Sequence, residues 1–134
     1  MIPVLKQTRR RKMTQYSSLI SRILLSHIFI LAGFSKITGY AGTQGYMESV
    51  GVPGMLLPLV ILLELGGGLA ILIGMKTKLV SFALAGFTII AAIIFHSNLA
   101  DQMQMILFMK NFAIAGGFLL LAEHGAGKYS FDNR

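Results

Sequence analysis

The chain alternates long apolar runs with short polar breaks, and the breaks decide its architecture. Windows of about 20 residues are long enough to cross a hydrocarbon core of about 30 Å at 1.5 Å per residue. Read this way, four spans are predicted, at Ser17 to Ile37, Gly54 to Gly74, Leu79 to His96 and Gln104 to Ala122. Residues 1–16 form a basic tail, 17–122 the membrane domain and 123–134 a second tail. The fold class is therefore an all-α integral membrane four-helix bundle.

Gly74-Met75-Lys76-Thr77-Lys78 is a tight turn, so the second and third spans are expected as antiparallel neighbours. The longest connection, Thr38 to Pro53, is broken by Gly39, Gly42, Gly45 and Gly51. A short interfacial helix from Thr43 to Val50 fits there, with Tyr46, Met47 and Val50 as its apolar side, either lying on the headgroups or closing over the bundle. Pro58, one turn inside the second span, stands where proline costs least. Small residues such as Gly66, Gly67, Gly68, Gly86, Gly116 and Gly117 offer close helix contacts.

Composition sharpens the membrane reading. The 134 residues are 54% hydrophobic and only 13% charged, against about 25% charged in soluble domains. The net charge of +7 does not point to nucleic acid, because of where it lies. Lys6, Arg9, Arg10, Arg11 and Lys12 precede the first span, Lys76 and Lys78 separate the second and third, and Lys128 and Arg134 follow the fourth. The other two connections carry no Lys or Arg, the positive-inside distribution for both termini in the cytoplasm. Anionic lipid headgroups account for the basic tail, and Met13 leaves residues 1–12 as a dispensable extension. Arg22 and His27 interrupt the first apolar run, which favours an uncleaved helix over a signal peptide.

With no cysteine, thiol redox chemistry and thiolate metal sites are excluded for this chain. His27, His96 and His124 lack ligand spacing, so no protein-held metal is expected. The Gly-Ala-Gly-Lys of the C-terminal tail fails as a phosphate loop, since Tyr129 follows the lysine and no strand precedes it.

The remaining chemistry lies inside the spans, where an ionisable group costs at least about 2.5 to 3.5 kcal/mol and therefore faces inward with a partner. Arg22, Ser26, Phe29, Gly33 and Lys36 fall on one narrow stripe of the first helix. In LVILLELGGGLA, Glu64 sits midway along the second span. Centring the two spans brings Arg22 nearest in depth, so an Arg22 to Glu64 ion pair is predicted, with Lys110 of the fourth span as a second candidate partner. Arg22, Glu64, Lys110 and Asn111 are the candidate intramembrane site, and Lys36, His96 and Asn98 a candidate outer mouth. Glu64 is open to two readings, a structural ion that fixes register or a titrating group for a ligand.

The blocks ILAGFSKITGY, YMESVGVPG, PLVILLELGGGLAILIG, FHSNLAD and FMKNFAIAGGFLLL, taken in order, resemble the DoxX family of small bacterial membrane proteins. The likeness runs from about Leu19 to Phe131. It implies a multi-pass protein of the bacterial cytoplasmic membrane, associated with membrane redox assemblies and quinone-linked oxidation of sulfur compounds. The residues themselves contain no haem-ligand pair at bundle spacing and no flavin motif, so at most a membrane subunit of an oxidoreductase is implied. A quinone is the cofactor expectation, and redox proteins of the membrane are the implied partners. The competing reading, a small-solute or proton transporter using Arg22, Glu64 and Lys110, requires a homo-oligomer.

Overall fold

The computed structural model describes residues 4–133, with side-chain surroundings from Lys12 to Asp132. Residues 1–3 and Arg134, and the side chains of Lys6, Arg9, Arg10 and Arg11, lie outside the described residues, so the expected contact of the basic tail with headgroups does too.

The described residues are all-helical. Helix α1 runs Val4–Thr38, so the basic segment continues the first span without a break. Helix α2, Tyr40–Ser49, occupies the long connection. A composite helix α3 covers Gly54–Ile73, α4 Thr77–Phe95 and α5 Gln102–His124. Four helices are long and apolar enough to span a membrane, Lys12–Thr38, Gly54–Ile73, Thr77–Phe95 and Gln102–His124. Their ends lie within a few residues of those read from hydropathy.

The burial pattern is that of a protein solvated by lipid. Leu31, Leu62 and Leu79 point outward at 63%, 68% and 68% exposure, whereas Arg22, Ser26, Glu64, Ser81 and Thr88 are buried. A stripe of polar groups inside and leucines outside is stable only where the surroundings are apolar. The core gathers Phe29 of α1, Ile71 of α3, Leu84 and Ala85 of α4, and Ala115, Phe118 and Leu121 of α5. Phe29 and Phe118 meet edge to face at 5.4 Å, an aromatic geometry that favours one helix rotation.

Glycines set how α1 and α3 approach. A Cβ on Gly33 would come within 2.9 Å of the Leu65 backbone nitrogen, and one on Gly68 within 3.1 Å of the Ile30 nitrogen. Lipid supplies no hydrophobic drive between helices, so this backbone proximity is what dispersion rewards. Gly67 and Gly117 likewise face Leu84 and Leu25, while Gly86 and Gly116 face open space. Half of the small residues noted in the sequence thus pack helices.

Pro58 stands in the first turn of an α-helical stretch, Leu57–Ile61, and the helix continues past it. The interruption comes later: Leu62–Gly66 widens into π-type turns centred on Glu64. Such bulges are rare and cluster at functional sites. Helix α5 starts at Asp101, whose carboxylate accepts from the Met103 and Gln104 N–H groups at 2.9 and 3.4 Å.

Candidate functional site

Two polar centres lie at opposite ends of the bundle, and they divide the residues that the sequence reading had joined. The contacts Gly33 to Leu65 and Ile30 to Gly68 fix the antiparallel register of α1 and α3. This register sets Glu64 level with Phe34, seven residues beyond the position that centred spans assign, or about 10 Å along the helix. Arg22 is left about 18 Å from that level by helical rise, and the predicted Arg22 to Glu64 pair does not form.

Glu64 pairs instead with Lys36, assigned above to the outer mouth. Lys36 Nζ lies 2.8 Å from Oε1 and donates to Oε2 at 3.2 Å. Glu64 is 4% exposed, whereas the lysine side chain is 29% exposed. The lysine stem reaches down from the end of α1 while its flank stays open, the geometry of a snorkelling side chain turned inward.

This pair forms part of the wall of a cavity of about 490 Å³. Phe87, Ile90, Ile94 and Phe95 make its apolar side, and Lys110, Asn111, Thr88 and His96 add polar groups. Helix α2 covers one end through Thr43, Tyr46 and Met47. Tyr46 stacks on Phe95 at 5.7 Å and Met47 is buried, so the short helix anticipated in this connection closes over the bundle. Asn111 Nδ2 donates to the Thr88 carbonyl at 3.3 Å, tying α5 to α4. The Thr88 hydroxyl is buried without a hydrogen-bond partner. Burial, and then the positive charge of Lys110, hold His96 below its ordinary value. Asn98 is exposed in the α4–α5 connection and is not part of the wall.

Among the sequence candidates, the cavity thus unites Glu64, Lys110, Asn111, Lys36 and His96, and omits Arg22 and Asn98. Thr88 was overlooked, although a signal existed: Thr77, Ser81 and Thr88 share one face of an apolar helix, and all three are buried.

Arg22 belongs to the other centre, at the end of the bundle where α3 ends, α4 begins and the segment around Asp132 folds back. Fully buried, it donates through Nη1 to the Leu72 carbonyl at 2.8 Å and to that of Ile71 at 3.4 Å, and through Nη2 to the Tyr129 carbonyl. The last carbonyls of α3 have no helical partner and carry the negative end of its dipole, which a forked cation satisfies. Tyr129 stacks on Tyr16 at 5.8 Å, and the Lys128 N–H donates to Gln15. Asp132 then accepts from the Lys76 and Thr77 N–H groups at 2.7 and 2.9 Å, capping α4, while its own N–H donates to the Gly74 carbonyl at 2.8 Å. Gly74 has φ +74°, and a Cβ there would strike Ser130 at 2.4 Å, so only glycine passes under the tail. His27 lies exposed, with its Nδ1 beside the Leu24 carbonyl.

The clasp has a pH signature. Burial pushes the Asp132 carboxyl upward, but the N–H donors of Thr77 and Lys76 together with the Arg22 charge prevail and hold it below its ordinary value. A depressed carboxylate contributes stability that is complete above its unfolded value and is lost as pH falls through the folded one. Thermal unfolding midpoints in detergent should therefore separate wild type from Asp132→Asn near neutrality and converge in acid. A gap independent of pH would remove Asp132 from this role.

The fold and site define a class: a small four-span membrane protein with an ion pair in the wall of an apolar cavity. The DoxX family pattern matches residues 17–97, and the chain belongs to the DoxX family. It is 57% identical over 122 residues to the inner membrane protein YqjF of Escherichia coli, covering 91% of this chain and 94% of that protein. It is 38% identical over 123 residues to the inner membrane protein YphA of the same organism, covering 87% and 88% respectively. The Bacillus subtilis protein named "Putative oxidoreductase CatD" is 32% identical over 83 residues, covering 62% of this chain and 61% of that protein. No solved structure matches the chain significantly. The protein is a multi-pass inner-membrane protein in contact with the lipid bilayer.

Proposed function

We propose that the cavity beside Glu64 receives the headgroup of a lipid-soluble quinone, and that the protein serves a membrane-bound redox partner, with both termini in the cytoplasm. The observation that carries this reading is a buried carboxylate paired with a lysine in the wall of an apolar cavity where several hydrogen-bond donors converge. About 490 Å³ falls within the range of ligand-binding cavities. The residues present fit such a ligand. Lys110, Asn111 and the unpartnered Thr88 hydroxyl supply donors for ring carbonyls, and Phe87 and Phe95 supply flat apolar contact. A bound quinone would supply reversible two-electron chemistry, and Glu64, steadied by Lys36, would hold or release the proton that accompanies it. The relative named as an oxidoreductase supports the redox part of the proposal.

The transporter reading loses its charge relay, because Arg22 is engaged at the far end of the bundle by backbone carbonyls. The redox reading is tested by equilibrium dialysis of a short-chain benzoquinone against the full chain in detergent. Saturable binding, weakened by Glu64→Gln by about tenfold or less, is expected. Absence of saturable binding would end the proposal.

A further inference from the structure

The charges around the cavity do not balance. Glu64 is matched by Lys36 at 2.8 Å. Lys110, an exposed residue within the membrane span of α5, also lines the cavity, and no carboxylate pairs with it among the described residues. His96 and Tyr46, the other ionisable side chains of the wall, bring no carboxylate, and a histidine is neutral or cationic, so neither supplies a counter-charge for the ammonium. Glu48, Asp101, Glu123 and Asp132 are not part of the wall. The cavity therefore presents one uncompensated ammonium in mostly apolar surroundings. In low dielectric such a cation attracts an anion far more strongly than it would in water.

A second feature points the same way. The Thr88 side chain belongs to a residue only 3% exposed, stands in the cavity wall, and its hydroxyl is unpartnered. A buried hydroxyl without a hydrogen bond costs about 1 to 3 kcal/mol, a cost that a ligand acceptor would relieve. Asn111, fixed to the Thr88 carbonyl, holds the two groups on neighbouring helices together.

We infer that the cavity binds a lipid-soluble organic acid as its anion, a single-chain carboxylate or phenolate, with the charged head between Lys110 and the Thr88 hydroxyl and the apolar body along Phe87, Ile90 and Ile94. This inference uses the same cavity and the same donors, Lys110 and Thr88, as the quinone reading, and assigns them to a charged ligand class instead. The volume of about 490 Å³, with α2 covering one end, suits one chain or ring rather than the two acyl chains of a phospholipid.

The test uses the full chain in nanodiscs of phosphatidylcholine, with labelled dodecanoate and dodecanol as paired probes at a pH where the acid is ionised. Dodecanoate should bind saturably and about tenfold more tightly than the alcohol. Lys110→Gln should abolish that difference by weakening dodecanoate about tenfold, and Thr88→Val should weaken dodecanoate by about threefold. Phosphatidylglycerol added to the nanodisc should not displace the acid. Equal binding of acid and alcohol, a preference that survives Lys110→Gln, or displacement by phosphatidylglycerol would each overturn the inference. A short-chain benzoquinone run in parallel separates the two ideas. Acid binding without quinone binding supports the inference and sinks the redox reading, and quinone binding without acid binding does the reverse.

Discussion

Arg22→Met should destabilise the protein by on the order of 3 kcal/mol, because it strips donors from the carbonyls of Ile71, Leu72 and Tyr129 together. An arginine that merely tolerated the membrane would behave in the opposite way, since methionine is far cheaper to bury there. Arg22→Lys should fall between, as a point charge cannot fork to two chain segments at once. Unfolding of the purified protein by graded denaturing detergent measures the cost. Carboxypeptidase digestion gives an independent readout: with the clasp broken, Tyr129 loses its tie to α1 and the tail should be trimmed faster. Wild-type stability in Arg22→Met would remove the clasp from the account.

The second large effect is an asymmetry within the Lys36 and Glu64 pair. Lys36→Met leaves a carboxylate, 4% exposed, without its cation, a situation that costs about 3 to 5 kcal/mol when a buried pair is broken. Glu64→Gln should cost about 1 kcal/mol or less, because Lys36 is already 29% exposed on its side chain and can swing its ammonium outward to water. The double variant Lys36→Met with Glu64→Gln should recover most of the loss, giving a large favourable coupling in a double-mutant cycle. Equal single costs that simply add would mean that the ion pair contributes nothing to folding. The same variants bear on function, since Glu64→Gln preserves the bundle while removing the proton-holding group.

The two centres share one helix face but have different physical roles. At the terminal end, Arg22 and Asp132 satisfy backbone groups that α3 and α4 leave open where the chain turns, and they pin the tail beneath that turn. Lys76 adopts φ +48°, an unusual conformation for a side-chain-bearing residue, and its N–H is one of those that Asp132 accepts. At the other end, the polar groups satisfy one another only in part: an unpaired Lys110 and an unpartnered Thr88 hydroxyl remain. The first arrangement satisfies mainly backbone groups, although Arg22 Nε stays buried without a partner, whereas the second gathers side-chain donors along a cavity wall.

The spans, their order and the polar stripe of α1 were legible in the sequence, because each depends on local periodicity and on the cost of placing polar groups in lipid. Arg22, Ser26, Phe29 and Gly33 are indeed all buried on one side of that helix. Glu64 was equally visible as a charge embedded in an apolar run, since no neighbouring pattern explains it away.

What hydropathy could not supply was the axial register between helices. Apolar runs have soft ends, and α1 extends as a helix well before the first apolar residue, so centring two runs misplaced Glu64 relative to α1 by about two turns. The seat of Gly33 against Leu65 and of Gly68 against Ile30 decides that register by steric fit, a pairwise property of two surfaces. The same holds for Asp132, which is unremarkable in a polar tail until the chain folds back onto the start of α4. The sequence by itself therefore determined a four-span membrane protein with charges inside. Only tertiary packing decided which cation neutralises Glu64, and that Lys110 has no carboxylate partner among the described residues.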